Sequence, residues 1–206
     1  MLVANPVFKC TKYDLNSIFD LTRKLLSEDF DHGLPHVLRV LNIAYGIVEK
    51  TKIPINYCVL EAAVLLHDIG RALGEPHAYY SALLAESLLR EKGFTDNEIK
   101  CIVNAILYHS YSYSRRHHVK PVCEEAKILS DADKLDALGV IGFVRVFLYD
   151  KKRNIKDILR HFNEKILKLP DLMHYSCTRE KAEFLRERVK TLLNWLDEEL
   201  EVGGDR

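Results

Sequence analysis

The chain contains no glutamine and only one tryptophan among its 206 residues. Glutamine is thermolabile, so its absence beside plentiful Lys and Glu leans toward a thermophilic source. Net charge is also missing: 30 Lys and Arg offset 30 Asp and Glu. That balance argues against a general nucleic-acid binder, which carries a large basic excess. No apolar run approaches the ~18 residues of a membrane helix. Met1 to Tyr13 lacks the basic, apolar, small-residue order of a secretory signal, so the expected location is cytoplasmic. The five cysteines (Cys10, Cys58, Cys101, Cys123, Cys177) are odd in number, scattered and never spaced C-x-x-C. They read as reduced thiols, neither a disulfide framework nor a zinc-thiolate site. A Gly-rich phosphate loop, a G-x-S-x-G elbow and a Rossmann turn are all absent. What remains is a chain 48% hydrophobic and 29% charged, of a length that suits one globular domain.

Helical periodicity is nearly continuous, and alternating strand patterns are hard to find. The pattern predicts helices over 14–28, from Pro35 to Lys50, and over 55–67, the last stopping near Gly70. A fourth runs from His77 to Lys92 and ends at Gly93. Thr95 to Glu98 has the spacing of a capping box and opens a fifth helix to about Tyr108. Tyr111 to Pro121 reads as a loop of serines, tyrosines and basic residues. Helix resumes over 124–149, bent near Gly139 and Gly142, and a basic turn (Lys151, Lys152, Arg153) follows. Helices over 155–169, stopped by Pro170, and 178–201 complete the chain. The expectation is a single all-α domain, with a core over 28–150 and the C-terminal helices 155–201 packing on it.

Ligand-type residues fall at the ends of apolar helix faces. His36 shares its face with Val40, Ile43 and Ile47; His67 follows Leu60, Ala63 and Val64. His109 follows Ile102, Ala105 and Ile106, and Asp133 leads a face continued by Ala137, Val140 and Val144. A single histidine on such a face is commonly a hydrogen-bonded core residue. A carboxylate entering a core must be paired, with Arg39 or Arg145 for instance, or bound to metal. Several helices that each bring an imidazole or carboxylate inward form a cluster best stabilised by a cation. Adjacent residues on a helix point about 100° apart, so His67 and Asp68 can face one ion only near a helix end. Imidazole with carboxylate suits Mn, Fe, Co, Ni or Zn, with Mg possible.

The order His36, His67-Asp68, Asp133 resembles the HD-domain superfamily of metal-dependent phosphohydrolases, all-helical proteins named for that doublet. His36-Val-Leu-Arg39-Val40 is similar to its H-x-x-R-V segment, and Leu66 to Arg71 to its L-H-D-I-G element. His109-Ser-Tyr-Ser112, the stretch Glu125 to Gly139, and His161-Phe162 with Lys165, Leu169 and Pro170 resemble one bacterial and archaeal subgroup. That subgroup commonly reads His-Asp four residues ahead of the metal histidine, where this chain has His32-Gly33.

The resemblance implies a bound divalent ion on His36, His67, Asp68 and Asp133. Some family phosphodiesterases hold a second ion with two further histidines and the doublet's aspartate bridging; His77 and His109 stand in the corresponding order. It implies hydrolysis of a small phosphoester, a nucleotide among the candidates, by water activated on the ion. Arg39, Lys134, His161 and Lys165 are candidates to stabilise phosphoryl charge, and Asp136 to orient a ligand or water. His77 and His109 could instead bind the substrate phosphate, and His161 and Lys165 share a helix face that could cover the pocket. Asp131 reads as a helix-start or turn residue. Two alternatives remain open at this point: a non-catalytic metal or nucleotide sensor, and a di-iron oxygenase needing both extra histidines.

Overall fold

The computed structural model describes residues 6–149 and 153–202, so Lys151 and Lys152 of the expected basic turn lie outside the described residues. Among the described residues every regular element is helical. The chain divides into two compact units, residues 1–132 and 133–206.

The first unit holds α1 (Leu15–Leu25), α2 (Leu34–Thr51), α3 (Tyr57–Leu66), α4 (His77–Glu91), α5 (Asp96–His109), α6 (Tyr111–Arg116) and most of α7 (Glu124–Asp136). A 3₁₀ segment, Ile69–Leu73, joins α3 to α4. At the centre lies α3, buried at every position from Cys58 to Leu66. A helix apolar all round can only be stable inside, and α1, α2, α4 and α5 pack against it. Burying Leu60, Leu65 and Leu66 completely contributes about 1.5–3 kcal/mol each. Local capping matches the sequence: Thr95 and Glu98 form the capping box at the start of α5, and Pro35 stands in the first turn of α2.

Glu61 is the polar exception within α3. Its carboxylate accepts from the amides of Lys9 (2.7 Å) and Cys10 (3.0 Å) and from the hydroxyl of Tyr45, tying the N-terminal segment to the core.

The second unit comprises the end of α7, α8 (Gly139–Tyr149), α9 (Ile155–Glu164), a 3₁₀ segment over Ile166–Leu172, and α10 (Ser176–Val202). Within it α10 packs on α8 and on the 3₁₀ segment. Arg145 on α8 donates to Asp136 at 2.7 Å, both residues being buried.

Four sequence expectations need correction. Cys10 pairs with Cys58 and Cys101 with Cys123, so these four are not reduced thiols; only Cys177 is free. The partners stand 48 and 22 residues apart, and spacing alone carries no trace of contacts made by folding. The pairing also removes the cysteine argument for a reducing compartment. Tyr111–Arg116 is a short helix rather than a loop. The face led by Asp133 does not continue, because α7 stops at Asp136 and α8 starts afresh at Gly139. Helical phase is lost across that break, and Val140 and Val144 are exposed. Asp131, finally, sits well inside α7 and is fully buried, not at a helix start or turn.

No helix among the described residues is long and apolar enough to cross a membrane.

Candidate metal centre

The site is assembled around the end of α3. That helix stops at Leu66; His67 keeps helical angles (φ −62°, ψ −30°) while Asp68 turns away (φ −114°, ψ 3°). The change of direction lets neighbouring side chains face one point, as the doublet requires. Gly70 contributes by its small size rather than as a left-handed cap. A Cβ there would lie 2.3 Å from the Ser81 amide and 2.8 Å from the His77 carbonyl. The backbone of α4 therefore rests directly on Gly70, pinned by the Gly70 amide donating to Ser81 Oγ at 2.9 Å. That approach brings His77, the first residue of α4, over Asp68.

Asp68 is completely buried, and its two oxygens face different imidazoles. Oδ2 lies 3.8 Å from His36 Nε2 and 3.6 Å from His67 Nε2. Oδ1 lies 3.6 Å from His77 Nε2 and 3.7 Å from His109 Nε2. His36 and His67 are fully buried and His109 nearly so. All four separations exceed a direct hydrogen bond, and among the described residues Oδ1 has no hydrogen-bond partner. Donor atoms sharing one ion at about 2.1 Å sit roughly 3–4 Å from each other, which is the spacing found here.

Three of these rings have Nδ1 already engaged. His67 Nδ1 meets the Val64 carbonyl at 2.7 Å, His109 Nδ1 meets that of Ile106, and His77 Nδ1 meets Glu75 at 3.1 Å. A ring that donates from Nδ1 keeps its Nε2 lone pair free, the arrangement that second partners give metal-binding histidines. His36 Nε2 and His67 Nε2 approach to 3.2 Å. Two lone pairs cannot face each other so closely, so a proton or a cation must lie between them. The residues present thus fit a divalent cation: an orphaned buried oxygen, lone-pair nitrogens and a donor set of imidazole and carboxylate.

The electrostatics agree. Burial pushes the Asp68 carboxyl up, but His67, Arg71, His109 and His36 hold it well below the ordinary carboxylate range. His77 is pushed below the usual imidazole range by burial, and by Arg71 and His109 against the pull of Asp68. An ionised carboxylate beside a neutral imidazole is the protonation state a metal takes up.

Two residues near the centre carry more than the sequence reading gave them. Arg71 donates from Nε to Asp68 Oδ2 at 2.6 Å; its acid–base spacing from Asp68, three residues, was the available signal. His32 lies with Nδ1 3.9 Å from Asp68 Oδ2. Arg39 reaches the neighbouring loop, donating to the Phe30 carbonyl at 2.9 Å and stacking on the Phe30 ring.

The remaining sequence candidates lie in the second unit. Asp133 is its first residue, half-buried on α7. Lys134 is buried, and Asp136 is held by Arg145. His161 is half-buried near the end of α9, where burial, Lys165 and Arg153 push its imidazole down to about 4. Lys165 follows as the residue capping α9, its amide donating to the His161 carbonyl at 3.0 Å. A further cluster, Cys101, Cys123 and Glu125, has ligand-type atoms close together, but its sulfurs are joined to each other and offer no thiolate.

The chain is similar in sequence and fold to several known proteins. The uncharacterized protein YpgQ of Bacillus subtilis is 28% identical over 165 residues, spanning 77% of this chain and 80% of its own. The crystal structure of YpgQ in complex with ADP shares the fold, with a TM-score of 0.69 at 23% identity over 89% of this chain and 93% of that one. An HD-superfamily hydrolase from Bacillus thuringiensis matches with a TM-score of 0.67 at 26% identity, over 91% of this chain and 96% of its own. A predicted HD superfamily hydrolase from an uncultured Thermotogales bacterium is 28% identical, with a TM-score of 0.61 over 92% of this chain and 93% of its own. Residues 33–138, more than half of the sequence and the stretch that carries the imidazole cluster, match the HD domain, and the chain belongs to that family.

Proposed function

We propose that this protein is a metal-dependent phosphohydrolase acting on a small phosphoester of the nucleotide class. Family membership and the two neighbours described as HD-superfamily hydrolases support the general reaction. The ADP bound by YpgQ supports the substrate class. The observation that carries the reading is Asp68, a buried carboxylate with imidazoles ranged along both of its oxygens.

In this reading His36, His67 and Asp68 would hold a divalent ion, with Asp133 as the fourth protein ligand on the strength of the sequence motif. His77 and His109 face the other oxygen of Asp68 and would hold a second ion. When bound, such ions acidify a water and withdraw charge from the phosphoryl oxygens. The chain's own residues do the rest. Val64, Ile106 and Glu75 orient the rings of His67, His109 and His77 by engaging Nδ1. Arg71 places a permanent positive charge beside Asp68, where it can meet a phosphate oxygen. Lys134, His161 and Lys165 are assigned to substrate contact and Asp136 to positioning by way of Arg145. His161, neutral at pH 7, would act as a hydrogen-bond donor rather than as a charge.

The test is phosphate release from a panel of nucleoside mono-, di- and triphosphates and phosphodiesters, using metal-free chain reloaded with Mn, Co, Ni, Zn or Mg. Metal-dependent release from at least one nucleotide is expected. Metal and nucleotide binding with no turnover across the panel would overturn the enzyme reading in favour of a sensor. The pairing of His77 and His109 on one oxygen also suits di-iron chemistry, which dioxygen uptake by the iron-loaded chain would reveal in place of hydrolysis.

A further inference from the structure

The loop ahead of α2 is built to present a fifth imidazole. Residues 27–33 curl tightly: the Gly33 amide donates to the Asp29 carbonyl at 3.0 Å and the Leu34 amide to the Ser27 carbonyl at 2.8 Å. A Cβ on residue 33 would stand 2.3 Å from the Ser27 carbonyl oxygen and 2.5 Å from that of Asp29. No side chain fits there, which gives a physical reason for Gly33 where the subgroup commonly carries aspartate. Arg39, one turn after His36 on α2, fastens the same loop through the carbonyl and ring of Phe30. The loop is therefore tied to the helix that bears His36.

The residue this loop presents is His32. Its Nδ1 lies 3.9 Å from Asp68 Oδ2, the oxygen that also faces His36 and His67. Its ring stands edge-on to that of His36, 5.8 Å between centroids. Ligand-type atoms of His32, His36 and Asp68 cluster together, and the 3.9 Å from His32 to Asp68 is within the spacing of donors sharing one ion. Unlike His36 and His67, which are sealed, His32 retains a quarter of its side-chain exposure.

We infer that His32 is a further protein ligand of the ion on the His36, His67 and Asp68 side, delivered by the 27–33 loop from the solvent edge. This rests on the metal-dependent reading above and adds a residue to it. An additional imidazole makes the site nitrogen-rich and favours Mn, Co, Ni or Zn over Mg.

The experiment compares wild type, His32→Ala, His32→Gln and Gly33→Ala, each stripped of metal and titrated calorimetrically with Ni. X-ray absorption of the Ni-loaded proteins then counts imidazoles at the ion. Folding of each variant is checked first by circular dichroism. His32→Ala and His32→Gln are expected to bind Ni about 10–100-fold more weakly, by analogy with the loss of a ligand's supporting partner, and to show fewer imidazoles per ion. Gly33→Ala should reproduce that loss while leaving His32 in place, because the loop can no longer close. Unchanged affinity and imidazole count in His32→Ala would overturn the role of His32. A folded wild-type chain that takes up no divalent ion would overturn the underlying metal reading as well.

Discussion

Two buried carboxylates stand seven residues apart on and just beyond the central helix α3, and they are treated in opposite ways. Glu61 is fully buried and fully answered: two backbone amides and the Tyr45 hydroxyl converge on it. Asp68 is equally buried, but Arg71 answers only Oδ2; Oδ1 has no hydrogen-bond partner among the described residues, and four imidazole nitrogens stand off at 3.6–3.8 Å from the two oxygens. A buried carboxylate left short of partners costs several kcal/mol. Glu61 avoids that cost with the chain's own donors, whereas Asp68 is arranged for a partner that the chain does not supply. Burial alone does not distinguish a structural acid from a functional one; the inventory of donors does.

The comparison breaks most visibly at Asp68 itself. Asp68→Asn should lower turnover by more than about a hundredfold, beyond what losing a metal ligand's supporting partner costs, and should empty the site of metal by elemental analysis. Thermal stability of the metal-free chain should fall as well, since the buried charge that Arg71 pairs with is removed. Full metal occupancy in Asp68→Asn would show that the centre has been misplaced. Asp133→Ala tests the fourth ligand by the same assay, with the same loss expected.

Glu61→Ala should do the reverse. It strands two amides and a hydroxyl inside the protein, a loss of about 3 kcal/mol. In a chain of this size that lowers the melting temperature by about 6–12 °C, while metal content at 25 °C stays as in wild type. Tyr45, whose hydroxyl is held well above its ordinary range by burial and by Glu61, should titrate closer to normal in this variant.

A finer comparison concerns the two oxygens of Asp68. His109→Ala removes an imidazole on the Oδ1 side only, so metal content should fall from two ions per chain to one, with activity reduced about tenfold. One ion in both wild type and variant would confine the centre to the Oδ2 side and return His77 and His109 to substrate contact.

Much of this centre was legible in the sequence because helical geometry is periodic. His36, His67 and His109 each extend an apolar face, and burial follows from that register. His77 was harder to read, since it opens α4 and owes its position to Gly70, whose bare backbone admits that helix. Arg71 and His32 act from outside the regular elements, where periodicity says nothing. The disulfides, the break between α7 and α8, and the depth of Asp131 depend on tertiary contacts or on a lost helical phase. Glu61 has no local sequence signal of its role, because its three donors come from residues 9, 10 and 45.

The smallest expected effect lies at a third carboxylate, which extends the contrast to the surface. Glu98 holds the same N-terminal segment as Glu61, accepting from Tyr13 Oη at 2.6 Å and Lys12 Nζ at 3.0 Å, as well as from the Thr95 amide and hydroxyl. Partial burial pushes its carboxyl up, but these hydrogen bonds prevail and bring it down to about 2. A folded-state value below the unfolded one means stability that is present above pH 4.5 and lost as pH falls toward about 2. His161 adds a separate slope at higher pH: its value of about 4 against 6.5 makes the folded chain lose stability as pH drops through that window. Urea midpoints measured from pH 7 to pH 2 should therefore decline in two stages. His161→Gln should flatten the upper stage and Glu98→Gln the lower, the latter at a loss of about 1 kcal/mol near neutrality, the size of a helix cap. Neither change should alter metal content at pH 7, because neither residue supplies a ligand; a loss of metal in Glu98→Gln would mean that the N-terminal anchor and the Asp68 centre are coupled through α3 and α5 rather than separate.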